Sequence, residues 1–533
     1  MDLQDLPAHE FRKRLLEVQS RIIGVYLREK TFRILPALSI RRKNLRDALR
    51  TVTLAWTFGV VWMACISGSQ ITLFGRLLGF SDFDFGLLAA LPWLAVFAQA
   101  FSAVAIERTG LRKYPVTIYG AIHRSLWLVI ALIPLILGSG RPAIIAFFIV
   151  YSISYILAHM RTPGWFTWMG DLIPRRIRGR YFAMRALLTM PVRLIVYTGA
   201  GILLDVMTNP DAPMTIESQP RLLWTICGLF TIAAIFGTID TLLYLRIREI
   251  ATPALVNKSY RHHPLLKRIA SDTKEALTLI VSSFKDRLFR YYAIYSAILF
   301  FSMTVSGQFG WLNALEVIGF SKAGANIVFL VCPFVAAAIL IRKWGRFMDR
   351  WGRRTILLLC TIGVILPPLT WFFIPPGQVT LGYILLSISS SLGGILWWGI
   401  NIGQTGILLG FSESAGRSKY AAAAAICTSI GAALGGLAGG YIAQSLAFLQ
   451  QHPIQVGPFQ WNNYHATFAV AILTRILALP WIIHMPDPGV RPFREFVKEV
   501  RYSVYNILAI RSFFPIRLLR RRTQKQENDT SQQ

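Results

Sequence analysis

Apolar residues run along this chain in blocks of about twenty, a helix's span of the hydrocarbon core, and between them lie short polar turns or bursts of Lys and Arg. Unpaired backbone groups are so costly in lipid that only patterns closing their own hydrogen bonds survive there, which for runs of this length means helices. Twelve runs qualify: 52 to 73, 85 to 106, 115 to 137, 143 to 162, 180 to 204, 222 to 245, 289 to 311, 323 to 342, 354 to 374, 380 to 402, 418 to 446 and 464 to 484. They predict an all-α integral membrane protein with helices 1 to 12. The opening stretch MDLQDLPAHEFRKRLLEVQ carries charges where a secretory signal would have its apolar centre, so it predicts a retained tail.

Charge turns the count into a topology. Of 533 residues 54% are apolar and 15% charged, with 56 Lys and Arg against 26 Asp and Glu. A formal charge of +30 on one basic domain would suggest nucleic acid, but here the cations fall between apolar runs, so no nucleic-acid partner is expected. They collect on one side of the membrane: the tail before helix 1, the 2/3, 4/5, 6/7, 8/9 and 10/11 connections, and the C-terminal tail. The opposite loops hold only Arg76, Arg141, Arg221 and Lys322. Lys- and Arg-rich short loops stay cytoplasmic, so both termini are predicted inside, in a multi-pass protein of the cell (inner) membrane. The predicted units are a basic tail 1–50, a six-helix bundle 51–248, a basic linker 249–288, a second six-helix bundle 289–485, and a tail 486–533. The five cysteines lie inside apolar runs, without the spacing of a disulfide framework or zinc site. No metal or other cofactor is expected.

The halves echo one another. AVAIERTGLRK (103 to 113) and GRFMDRWGRRT (345 to 355) align at a constant shift of 242 residues across an acid, an Arg and a Gly. RGRYFAMR (178 to 185) opens helix 5 as AGRSKYAA (415 to 422) opens helix 11. A parallel internal repeat follows. With GRFMDRWGRR, which matches its loop signature at Gly345, Asp349, Arg350, Gly352, Arg353 and Arg354, the chain resembles the major facilitator superfamily over about residues 50 to 485. WFTWMGDLIPRRIRGRYFAMR (165 to 185) looks like the helix 4/5 segment of a bacterial group whose substrates are mostly unassigned. The first-half copy keeps Glu107, Arg108 and Gly110 but departs at Ala103 and Leu111.

The resemblance implies two six-helix bundles rocking around a central cavity, with helices 1, 4, 7 and 10 lining it and 2, 5, 8 and 11 at the interface. It sets Asp349 near the start of helix 5, beside Arg178, Arg180 and Arg185, and Glu107 near the start of helix 11, beside Arg417 and Lys419. An acid at the positive end of a helix is favoured by roughly 0.3 to 1 kcal/mol, so each is expected to latch the cytoplasmic gate. The plainer alternative is that these residues only keep short loops cytoplasmic.

Ionisable residues within spans are few enough that each is a functional hypothesis. Arg124, Arg161, Arg193 and Arg475 face the single acid Asp240. Depth along helices 3 and 6 predicts an Arg124/Asp240 structural pair. Arg161 and Arg193 are expected to hold an anion, since an Arg fork suits carboxylate or phosphate. Alternatively Arg161 snorkels or pairs with Asp171, and Arg193 bonds helix-end carbonyls. Arg475 has no evident partner in the sequence. Further cavity candidates are Gln70, Tyr155, His159, Tyr295, Gln308, Trp398 and Asn401, an aromatic surface with a few polar groups of the kind pockets use; for His159 a helix-packing role is the stronger alternative. Gly431, Gly435 and Gly439 share one face of helix 11 and predict close helix contact.

Residues 493 to 508 alternate like a surface-lying helix, which anionic lipid of the inner leaflet would hold. The function expected is therefore a monomeric transporter of a small organic solute, an anion if the arginines line the path, working by alternating access. A sensor or assembly factor built on the same fold is the alternative. A membrane-embedded lipid-modifying transferase is less favoured, because no HExxH, GxSxG, His box or grouped carboxylates are present.

Overall fold

The computed structural model describes residues 42 to 109, 111 to 249, 278, 281 to 410 and 417 to 486. Side chains are not described for Glu107, Arg108, Asp349, Arg350, Arg417 and Lys419, and Gly345 is described only as part of its helix. Gly110, most of the N-terminal tail and linker, and the 493 to 508 segment lie outside the described residues.

Twelve helices among the described residues are long and apolar enough to cross a membrane. They are α1 (Asn44–Ile66), α2 (Asp82–Ala103), α3 (Lys113–Leu137), α4 (Arg141–Leu172), α5 (Arg176–Met207), α6 (Pro220–Arg246), α7 (Arg287–Ile318), α8 (Lys322–Ile339), α9 (Arg353–Phe373), α10 (Val379–Leu408), α11 (Tyr420–Ser445) and α12 (Asn463–Ile483). Several begin on side-chain caps that occupy orphan backbone donors. Ser81 and Asp84 form a capping box on α2, Asp286 accepts from Leu288 and Phe289 at the start of α7, and Asn462 with His465 caps α12.

The first span differs from the sequence expectation. It begins well before residue 52 and breaks at Gly68, whose φ is +82°, after which a short helix (Ser69–Leu78) continues on a new axis. A Cβ at Gly68 would stand 2.6 Å from Asn326 Oδ1, so neither backbone nor space admits another residue. Gly352, the signature glycine, likewise sits at φ +84° and separates the helix Cys332–Trp351 from α9. α7 and α8 carry π-helical turns at Asn313–Ile318 and Ile327–Val331.

Helix neighbours repeat with a step of six. In the first bundle α1 packs on α5 and α6, α4 on α2 and α3, and α3 on α6; in the second α7 packs on α11 and α12, α10 on α8 and α9, and α9 on α12. The parallel repeat read from the loops is thus a repeat of packing. The bundles meet through α2 with α11 and α5 with α8. Glycine lets these backbones approach: a Cβ on Gly86 of α2 would lie 2.5 Å from Gly440 Cα, and one on Gly201 of α5 would lie 2.4 Å from Ala323 Cα. The Gly431, Gly435 and Gly439 face lies against Ala297, Phe301 and Val305 of α7.

Among the described residues, the denser of these inter-bundle contacts lie toward one end. α11 meets α2 along Asp82–Phe97, and α5 meets α8 along Lys322–Val331. Toward the Lys- and Arg-rich face, Met184, Leu187 and Leu188 of α5 and Ile339 of α8 are exposed.

Candidate functional site

Among the described residues, the hydrogen bonds and ion pairs that join the bundles lie on the face opposite the basic one. Arg76 of the short helix grips Glu316 of α7 through Nε to Oε1 at 2.5 Å and Nη2 to Oε2 at 2.9 Å. It also contacts Asp82 at 3.1 Å, and Asp82 in turn accepts from Asn463 Nδ2 at 2.8 Å and Tyr464 Oη at 3.3 Å of α12. Asn326 receives the Ser69 amide and hydroxyl, both at 3.0 Å, and donates to the Tyr197 carbonyl at 3.0 Å. Asp205, at the end of α5, accepts the backbone amides of Lys322 at 2.7 Å and Ala323 at 3.0 Å. An acid on a helix N-terminus, expected at the cytoplasmic gate, is found here on α8.

Two sequence candidates belong to this seal. Gln70 is fully buried and donates to the Ala64 carbonyl at 3.1 Å, and Gln308 donates to Thr72 Oγ1 across the bundles at 3.2 Å.

At mid-depth a second set of charges gathers inside the first bundle. Arg124 Nη2 donates to Asp240 Oδ2 at 3.1 Å, with both residues buried. Arg161 Nη1 stands 4.0 Å from the same oxygen. The alternative partner for Arg161 is taken, because Asp171 is paired with Arg112 at 2.6 Å. Arg124, Arg161 and Arg185 each lie about ten residues, roughly 15 Å, from the basic-face end of their helices. Aromatic faces carry the charge that one carboxylate cannot: Arg124 lies 3.4 Å from the Trp62 ring centroid, Arg161 5.5 Å from Tyr244, and Arg185 5.0 Å from Trp56 and 4.9 Å from Phe182. Arg185, read from sequence as a gate charge, belongs by position with this cluster. The two tryptophans of α1, Trp56 and Trp62, face it and Arg124 respectively.

Among the described residues, Asp240 Oδ1, Arg124 Nε and Nη1, Arg185 Nη1 and Arg193 Nε are buried without a hydrogen-bond partner. Donors left unmatched around one acid make the cluster suited to an added negative group. Arg193 sits apart on α5, its guanidinium 4.4 Å from the Phe334 ring of α8, and so spans the two bundles at mid-depth.

The other candidates separate. Tyr155 packs on Tyr151 with ring centroids 4.6 Å apart, and His159 Nδ1 is bonded to Gln99 Nε2 at 2.8 Å. Tyr295 is wholly buried in the second bundle with its hydroxyl 2.8 Å from Thr361 Oγ1, so the structure does not bring it to the space between bundles. Trp398 and Asn401 are exposed on α10. Arg178 bonds the Gly170 and Ile173 carbonyls at the end of α4, Arg180 is exposed, and Arg354 bonds the Ile483 carbonyl. Arg353 is half-buried at the start of α9.

Residues 52 to 416 match the Major Facilitator Superfamily model, and the chain belongs to that family of membrane transport proteins. Solved structures share its fold at low identity. The nucleoside transporter NupG is 14% identical with a TM-score of 0.55, covering 83% of this chain and 100% of its own. The xylose transporter XylE from E. coli, in a partially occluded inward-open conformation, is 15% identical with a TM-score of 0.52, covering 83% and 100%. A bacterial homologue of the human lysosomal transporter Spinster, inward-facing and occupied, is 12% identical with a TM-score of 0.56, covering 83% and 97%. No curated protein matches the sequence.

Proposed function

We propose that this transporter carries a small organic anion by alternating access, with Arg161, Arg185 and Arg193 drawing the anion to mid-membrane. The observation that carries this reading is the imbalance at Asp240, where three arginines surround one carboxylate. A site with surplus guanidinium forks attracts carboxylate or phosphate and repels cations. The basic face is taken as cytoplasmic. On that reading the conformation described here is closed outside and open inside, and Asp349 latches the cytoplasmic gate only after the bundles swing together.

Uptake into proteoliposomes tests the anion reading, using carboxylates, phosphorylated solutes and neutral sugars with Lys and Gln replacements at Arg161, Arg185 and Arg193. Lys keeps the charge but loses the fork. The reading expects uptake of an anion to fall about tenfold or more with either replacement, with neutral solutes not carried. A neutral solute as sole substrate overturns it.

A further inference from the structure

The cations that the sequence leaves without partners include Arg475, at mid-span in α12. It is 5% exposed. Its Nε donates to Ser302 Oγ at 3.2 Å and its Nη1 to the Val364 carbonyl. The second bond has a local cause: Val364 would accept from the amide of residue 368 in a continuous helix, but that residue is Pro368, which has no N–H. Arg475 fills the acceptor that Pro368 leaves open.

This structural task occupies little of the side chain. A guanidinium has five N–H donors, and two are engaged, which leaves three without a partner among the described residues. No carboxylate pairs with it there, so the charge of this always-protonated group is uncompensated. Arg475 lines a cavity of about 280 Å³ inside the second bundle, between α7, α8, α9, α10 and α12. Trp311, Trp371 and Trp397 line it with Ser306 and Ser389. Those two hydroxyls make only long bonds, 3.5 Å to the Ser302 carbonyl and 3.4 Å to the Pro367 carbonyl. On the cavity wall, Gly307 is exposed, and a Cβ there would meet nothing within 4 Å, which leaves a way in.

We propose that this cavity is a second ligand site, taking a small aromatic carboxylate whose acid group sits on Arg475 and whose ring lies among the three tryptophans. The volume is near the lower end of ligand pockets, roughly 300 to 1,000 Å³, which selects one ring over a larger solute. The serines add neutral donors beside the charge, and the indole faces supply the apolar contact that a bare inorganic anion does not use. The site lies within one bundle and does not depend on the anion reading of the Asp240 cluster.

Equilibrium dialysis of radiolabelled benzoate against the purified full-length protein in nanodiscs tests it, with benzamide and inorganic phosphate as competitors. The expected result is saturable binding, displaced by cold benzoate and not by benzamide or phosphate. Loss of the charge-assisted bonds in Arg475→Gln should weaken binding about tenfold or more. Because that variant also frees the Val364 carbonyl and risks misfolding, Gly307→Leu serves as the second arm: it fills the entry from open space, touches no Arg475 contact, and should abolish binding with the melting temperature kept. Absence of saturable binding, equal displacement by benzamide, or unchanged binding in Gly307→Leu overturns the proposal. So does loss of binding in Arg161→Gln with retention in Gly307→Leu, a pattern that would assign benzoate to the first bundle's cluster instead.

Discussion

Arg76 and Glu316 meet across the two bundles in a two-pronged pair, Nε on Oε1 and Nη2 on Oε2, and the same guanidinium reaches Tyr464 of α12 at 3.0 Å. The contact is partly exposed, so solvent screens it. Its geometry and its place in a network with Asp82 and Asn463 set it above an isolated surface pair, which is worth roughly 0.2 to 1 kcal/mol.

Arg76→Gln should therefore loosen the seal without unfolding the protein. A change of about 1 kcal/mol shifts a two-state ratio about fivefold. Labelling of a cysteine placed at Ser69 from the side opposite the basic face should rise by that order, and unchanged labelling in a well-folded variant would refute a gating role.

Asp240→Asn should be far more damaging. It leaves Arg124 and Arg161 in the bundle interior without their carboxylate, and breaking a buried pair by removing one partner costs about 3 to 5 kcal/mol. The expected readout is a large fall in the melting temperature in detergent, with partial recovery when Arg124→Met is added. A wild-type melting temperature for Asp240→Asn would show that the acid is dispensable to the fold.

Asp349→Asn tests the latch proposed for the closed basic face. It removes the charge and keeps the shape, so it should favour the inward-open state about fivefold, from a contribution of roughly 1 kcal/mol. Cysteine accessibility from the cytoplasmic side reads this. An unaltered pattern would return Asp349 to the role of a topology-setting charge.

Gly440→Leu should block the approach of α11 to α2, since a Cβ there already lies 2.9 Å from Gly86 Cα. Transport should be lost while the buried clusters internal to each bundle stay folded, although the largest cluster runs through both. A spin-label distance between α2 and α11 that widens relative to wild type is the expected signature.

Span number, bundle division and the internal repeat were legible because they rest on long apolar runs and on loop charge, which few local details can disturb. The Arg124/Asp240 contact was legible for a related reason: one buried acid has few buried cations to choose from. The seal was not. Asp82, Asp205 and Glu316 look like ordinary loop charges until the packing of α2, α5 and α7 brings Asp82 and Glu316 against Arg76 and Asp205 against the α8 amides, and no local pattern encodes that meeting. The depth of Arg185 was hidden too, because its helix begins at the membrane surface and its partners, Trp56 and Phe182, are read from sequence as generic apolar positions. Gln70 and Gln308 show the converse: polar residues in cavity-lining helices were read as ligand groups, and the fold engages them in joining the bundles.

The break at Gly68 divides the first span into two levers on one joint. The lower lever carries Trp56 and Trp62 against the arginine cluster; the upper carries Ser69, Gln70, Thr72 and Arg76 into the seal. A rigid rod would transmit every tilt of one end to the other, so releasing the sealed face would drag the tryptophans off their cations. The break at residue 68 interrupts that rod, so the sealed end and the end on the arginine cluster need not tilt together. The glycine that looks like a flaw in the helix is what lets one span meet the arginine cluster at one end and the seal at the other along different axes.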